Sequence, residues 1–566
     1  MTYASRPWLA HYAPEVPAEI TTPTEPLTSG LFNSAAQWPD RVATDFYGAQ
    51  TTYAELEEQV LRGAEYLRTL GVQAGDRVAI ILPNCPAHVV AFYAVLRLGA
   101  VVVEHNPLYT SAELAHQLAD SGATVALTWH HAVPRVEEAA PKTEVNAIIS
   151  VDVAQDLPLV KRIALHLPVA KARETKNALR GPKNTRPDWH TELAKLAPLA
   201  ADHPLPGVGE VALLQYTGGT TGTPKGAVLS HSNLAANAAQ GREWVRSEGG
   251  AEVVYGVLPF FHAFGLTLCL TYAVSIGATV VLFPKFDADA FLAAQRRLPG
   301  TFLPAVPTML AKILAAVADT KDDITSFRYV IAGAMSLPAK TAQDWEARTG
   351  GLVIEGYGMT ETSPVALGSP LSEARRPGAL GLPFPSTDIR IVDQDDSSRE
   401  VGVGEIGELL IRGPQVFEGY WRRPEETAEQ LSPDGWLRTG DIVAMDETGF
   451  VRLMDRSKEM IISGGFKVYP SQVEDKIRAM PGVQDVAVVG VPAGDSGESV
   501  VAAIVLDPGA NIDLAALRAW CDDKLARYAI PRNLVILADL PRSQIGKVLR
   551  RVVRDSIIGP VAPTAG

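Results

Sequence analysis

Between Asp76 and Thr128 short apolar runs alternate with stretches of helical periodicity, and this rhythm limits the possible folds more than any other feature. Val78–Leu82, Val101–His105 and Thr124–Thr128 read as strands, with Pro86–Leu98 and Ser111–Ser121 as the helices between them. Thr110 and Glu113 have capping-box spacing at the start of the second helix. Apolar strands separated by helices predict a parallel sheet covered on both faces. A second series follows Val211, with strands near Val253–Leu258, Ala278–Phe283, Tyr329–Ala332 and Leu352–Glu355. The expectation is an α/β protein whose large N-terminal body holds two parallel-sheet subdomains with a ligand crevice between them.

From about Leu371 to Met454 the pattern changes to short strands and turns, which suggests a small β-barrel or distorted sheet. Beyond Asp455 mixed α and β character resumes to Arg554, followed by a Pro/Ala/Gly tail. The predicted divisions are an extension (1–30), a main domain (31–454, with the β portion at about 371–454), a smaller α+β domain (455–554) and the tail (555–566).

Val253 to Phe283 carries no Asp, Glu, Lys or Arg and is long enough to span a bilayer. Pro259, His262, Gly265 and Gly277 divide it, so it reads as strand, loop, buried helix (Gly265–Ser275) and strand. A net charge of −13 over 566 residues argues against general nucleic-acid binding. Cys85, Cys269 and Cys521 lie far apart without metal-ligand spacing, and the first residues lack the pattern of a secretion signal. A cytoplasmic location is expected, with contact at the inner face of the membrane as a further candidate.

Tyr216 to Ala227 reads YTGGTTGTPKGA. Its glycines let backbone approach phosphate oxygens, its hydroxyls and amides donate hydrogen bonds, and Lys225 adds a positive charge. A nucleotide triphosphate is the ligand such a loop suits. It is not a Walker loop, which needs Gly-Lys-Ser/Thr entering a helix. Gly402–Gly407 fits GxGxxG, but it follows polar residues and leads into a strand, so a turn is expected there.

Together with EGYGMTE (355–361), DGWLRTGD (434–441), DRSKEMIISGGFKVYPSQVE (455–474) and RSQIGKVLRR (542–551), this loop resembles the adenylate-forming enzymes over roughly Leu31 to Arg554. That superfamily contains acyl-CoA synthetases, luciferases and peptide-synthetase adenylation domains. The resemblance implies two half-reactions. A carboxylate attacks the α-phosphate of ATP to give an acyl-adenylate and pyrophosphate, and a thiol then displaces AMP.

By the same resemblance, Thr217, Thr220, Thr221 and Lys225 close over the β- and γ-phosphates, with Thr217 near Mg²⁺. In EGYGMTE, Tyr357 stacks on adenine, Glu355 and Gly356 belong to the nucleotide site, Thr360 bonds a phosphate, and Glu361 holds Mg²⁺. Gly333 lets backbone approach adenine or the bound carboxylate. Asp441 accepts from both ribose hydroxyls, and Arg456 is a second ribose or phosphate contact. Lys547 is the catalytic lysine of adenylation, although RSQIGK departs from the Lys-Thr/Ser-x-x-Gly-Lys run of relatives. Lys458 is the hinge of a mobile C-terminal domain, and Gly464 and Gly465 let the pantetheine arm of coenzyme A pass.

The likeness is closest to bacterial long-chain fatty-acid–CoA ligases. It is carried by VVVEHNPLYTSAELAHQLADSGA (101–123), LPFFHAFGL (258–266) and the run 434–470. His262, Phe264 and Leu266 are candidates for the acyl site; His262 either gates a tunnel, contacts the carboxylate or is a core histidine. An aryl-acid CoA ligase and an acyl-AMP ligase that loads a carrier protein are the alternatives. Residues 157–183 place Val160, Ile163, Ala164 and Leu167 at helical spacing among basic residues, a pattern suited to anionic lipid.

Overall fold

The capping box at Thr110 is present. The Thr110 hydroxyl accepts the Glu113 N–H, the Glu113 carboxylate accepts the Thr110 N–H, and Gly122 ends the helix Ser111–Ser121 in the left-handed conformation. The computed structural model describes residues 3–182, 184–217, 224–456, 459–463, 466–493, 498–543 and 546–559. They pack into two compact units, Tyr12–Thr387 with Arg412–Gly435, and Met1–His11 with Asp388–Ile411 and Trp436–Gly566. The division expected at 454/455 falls inside the second of these units, where the strands Leu437–Met445 and Val451–Arg456 are laddered together.

The larger unit contains two sheets. One has seven strands in the order Gly419–Tyr420, Lys225–Ser230, Val211–Thr217, Val101–Glu104, Arg77–Ile81, Val125–Trp129 and Ala147–Val151. Its last five strands are parallel, and the first two run antiparallel to their neighbours. The other has nine strands. Its parallel centre holds Leu352–Gly358, Tyr329–Ala332, Phe302–Ala305, Val253–Gly256, Thr279–Leu282 and Val42–Phe46. Phe302–Ala305 escapes the sequence pattern because Pro304 lacks a backbone N–H and reads as a strand breaker.

The uncharged run 253–283 is core. Between its two strands lies a helical run, Ala263–Ser275, with a π-helical middle at Leu266–Thr271. Among the described residues no helix is long and apolar enough to cross a membrane. The basic segment forms two helices, Leu159–Ala164 and Ala170–Arg180.

The smaller unit has a four-stranded sheet of Asp388–Val392, Ile406–Arg412, Leu437–Met445 and Val451–Arg456. Of the two forms expected for this region, it takes that of a bulged sheet. The GxGxxG stretch is a turn with Gly404 at φ 89°, and its last two residues open the strand Ile406–Arg412. A three-stranded sheet of Val483–Pro492, Glu498–Leu506 and Asn533–Ile536 follows, packed by the helices Pro470–Arg478 and Leu514–Cys521.

Candidate functional site

The two strands that flank the threonine-glycine loop pair with each other. Val211–Thr217 and Lys225–Ser230 are antiparallel, and Thr217 is the register partner of Lys225. Lys225 therefore opens a strand, not a helix. The Thr217 hydroxyl donates to the Lys225 carbonyl at 3.4 Å. Thr220 and Thr221 lie outside the described residues. Behind the hairpin the Tyr216 hydroxyl donates to Asp120 at 2.8 Å, and Asp120 also pairs with Arg423 at 2.7 Å.

EGYGMTE is also a hairpin, formed by Leu352–Gly358 and Val365–Gly368. A Cβ on Gly358 would lie 1.8 Å from the Pro364 carbonyl oxygen, so only glycine fits the close crossing. Tyr357 is half-buried opposite Leu367, and Thr360 opens the 3-10 turn that carries Glu361. The Glu361 carbonyl accepts the Phe417 N–H, and its Oε1 accepts the Tyr420 hydroxyl at 2.5 Å. Glu355 accepts the Gly378 N–H at 2.6 Å, and burial raises its pKa.

Gly333 follows the strand Tyr329–Ala332. A Cβ there would lie 3.0 Å from the Phe264 ring and 3.2 Å from the Gly356 carbonyl oxygen, which brings these three candidates together. The loop bearing His262 and Phe264 is held from below. Asn84 accepts the Phe260 N–H and donates to the Gly256 and Leu258 carbonyls, while Gln215 donates to the Phe261 carbonyl. His262 Nδ1 accepts the Phe264 N–H at 3.4 Å. Burial lowers the His262 pKa to about 4, so the ring is neutral at pH 7. Leu266 is fully buried.

In the smaller unit, a bulge presents Asp441. Gly440 takes φ 70°, its N–H bonds Glu408, and the Thr439 hydroxyl bonds the Leu409 carbonyl while accepting the Asp441 N–H. Arg456 faces Asp441 across the ladder, with Nε 3.2 Å from Oδ1. Lys547 is joined to Ser543 by two hydrogen bonds, its carbonyl accepting the Ser543 N–H and its N–H donating to the Ser543 hydroxyl. Burial and then Arg456 pull its pKa down to about 8, against the opposing pull of Glu459 and Asp441. Three residues on, Arg550 bonds Glu474, Ser471 and Glu459 and fixes the start of the helix Arg550–Ile558. Lys458, Gly464 and Gly465 lie outside the described residues.

Tyr420 was missed by sequence reasoning. It lies on the strand paired with Lys225–Ser230, its ring is 5.2 Å beneath the Lys225 ammonium, and its hydroxyl bonds Glu361. The available signal was the aromatic run Phe417, Tyr420 and Trp421 after an apolar strand.

Residues 31–421 match the family model described as AMP-binding enzyme, and 472–547 match its C-terminal domain. A long-chain-fatty-acid–CoA ligase of Bacillus subtilis (strain 168) is 37% identical over 557 residues, covering 97% of each chain. A feruloyl-CoA synthase of an Amycolatopsis species is 36% identical over 519 residues, covering 91% of this chain and 96% of that one. The crystal structure of ATP-bound MatB from Rhodopseudomonas palustris superposes with a TM-score of 0.83 at 32% identity, covering 94% of this chain and 98% of that one.

Proposed function

The chain belongs to the family of AMP-binding, adenylate-forming enzymes, and from that premise we propose that it converts a fatty acid to its coenzyme A thioester. ATP and the acid give acyl-AMP and pyrophosphate, and coenzyme A then displaces AMP. The observation that carries this reading is the 37% identity to a long-chain-fatty-acid–CoA ligase over 97% of both chains.

A carboxylate is a poor electrophile, so the enzyme's task is to make it a good one by charge stabilisation and positioning. Thr217, Thr220, Thr221 and Lys225 hold the triphosphate. Gly333, Glu355, Gly356 and Tyr357 bound the adenine, Thr360 bonds a phosphate oxygen, and Asp441 with Arg456 holds the ribose. The Lys547 ammonium bridges the attacking carboxylate and the α-phosphate, and its proton is held there by the developing negative charge. Lys458 is the pivot that exchanges Lys547 for the Ser463–Gly464–Gly465 segment in the thioester step. His262, Phe264 and Leu266 belong to the acyl side, where apolar burial contributes about 0.8 kcal/mol per methylene.

Glu361 and Thr217 are hard oxygen donors that fit Mg²⁺. Among the described residues no cluster of three or more His, Cys, Asp or Glu side chains could hold a metal, which suits a cation bound mainly through phosphate and water. When bound, the ion supplies neutralisation of phosphate charge.

Pyrophosphate release with straight-chain acids from acetate to stearate, with and without coenzyme A, tests the reading. Long-chain acids should be preferred, and the thioester should form only with coenzyme A. Preference for coumarate or benzoate would favour the aryl-acid alternative, and adenylate without thioester would favour a carrier-loading ligase.

A lipid surface is a second element of the reading. Five of the fifteen large apolar side chains exposed among the described residues lie within eleven positions: Leu159, Val160, Ile163, Leu167 and Val169. Residues 157–183 carry seven Lys or Arg against one acidic residue, Glu174, in a chain of net charge −13. Apolar side chains flanked by cations suit insertion at an anionic bilayer, where long-chain acids partition. Sedimentation with phosphatidylglycerol vesicles should recover the wild type. It should recover far less of a Leu159→Ser, Val160→Ser, Ile163→Ser variant, and equal recovery would remove the idea.

A further inference from the structure

We propose that Tyr420 is a positioning residue that keeps the metal-directed carboxylate of Glu361 and the phosphate-directed ammonium of Lys225 apart and correctly aimed. The inference deepens the function proposed above and rests on the roles given there to those two residues.

Opposite charges that serve one nucleotide attract each other before it arrives, and a direct pair would take both out of use. The structure puts one aromatic ring in contact with both. The Tyr420 hydroxyl donates to Glu361 Oε1 at 2.5 Å, and the Lys225 ammonium lies 5.2 Å over the ring. The attachments continue along the backbone. The Phe417 N–H bonds the Glu361 carbonyl, the Trp421 N–H bonds the Gly226 carbonyl, and Tyr420 is in register with Ala227. Residues 417–421 thus fasten the Glu361 turn to the strand that carries Lys225. Phe417 packs edge-on to Tyr420 at 5.0 Å and limits its rotation. A hydrogen bond to an ionised carboxylate fixes which way it faces, and the ring face holds the Lys225 cation beside its ion pair with Glu426 at 3.8 Å.

The test is equilibrium binding of ATP by calorimetry, in magnesium and in EDTA, with melting temperature as the control for folding. Tyr420→Phe keeps the ring and loses only the hydroxyl. It should weaken binding in magnesium about tenfold and leave binding in EDTA within twofold. Tyr420→Leu loses the ring as well and should weaken both. In a Glu361→Ala background, which has no side-chain acceptor, Tyr420→Phe should add nothing, because both substitutions remove the same bond. Wild-type affinity in Tyr420→Phe, or equal losses with and without magnesium, would overturn the proposal. A wild type that binds ATP no better in magnesium would instead remove the underlying assignment of Glu361, and the proposal with it.

Discussion

Asp441 and Arg456 are register partners on adjacent strands, with the guanidinium Nε 3.2 Å from the carboxylate Oδ1. The bulge at Gly440 turns Asp441 out of the regular ladder, and Arg456 then sets its orientation. A carboxylate so held suits a vicinal diol, since it offers two acceptor oxygens where an amide offers one. Asp441→Asn should raise KM for ATP about tenfold or more, with little change in KM for the acid. Initial rates titrated against each substrate decide it; equal increases in both constants would remove the ribose assignment.

Lys547 holds its proton only below about pH 8, because burial and then Arg456 lower its pKa from the ordinary lysine value. In the role proposed for Lys547 the charged form is required, so kcat/KM for pyrophosphate release should fall above pH 8 with the slope of one proton. Lys547→Ala should lower adenylation about a hundredfold and largely spare thioester formation from supplied acyl-adenylate. Arg456→Gln removes a cation that depresses the lysine and should move the alkaline limb to higher pH. A limb that stays in place would show that another group controls it.

Legibility along the chain followed how local each signal is. Ser111–Ser121 could be read to the residue because both its ends are written nearby, in the Thr110–Glu113 box and in Gly122. The strand Phe302–Ala305 could not, because its place depends on neighbours at Val253–Gly256 and Tyr329–Ala332 that override Pro304. The two Gly-containing motifs were visible as short segments since each is local in the sequence. Their supports were not. The Asp120–Arg423 pair behind Tyr216 spans 303 positions, and Tyr420 gains meaning only through strand pairing with Ala227. Polar residues held by distant partners leave no periodic trace.

Gly333 has little room beside Phe264 and the Gly356 carbonyl, at 3.0 and 3.2 Å from an added Cβ. Gly333→Ala should therefore displace the Phe264 ring, which is proposed to border the acyl chain. KM for long-chain acids should rise several-fold, and the preference should shift to shorter chains, with KM for ATP less affected. A chain-length profile identical to the wild type would show that Phe264 does not border the acyl chain.

His231 is fully buried, and neither ring nitrogen has a hydrogen-bond partner among the described residues. Burial lowers its pKa from 6.5 to about 4, so the folded protein keeps it neutral where the unfolded chain protonates it. Between those values the unfolded state binds more protons, and stability therefore declines as pH falls through 6.5 toward 4. The contribution is on the order of 2 kcal/mol by pH 5. His231→Leu removes both the titration and an unpaired buried polar ring, so stability at pH 7 should be equal or higher. The gap between variant and wild type should then widen as the buffer is taken from pH 7 to pH 5. Melting curves at half-unit intervals measure it, and a gap that stays constant would mean that the imidazole is protonated, or paired, inside the fold.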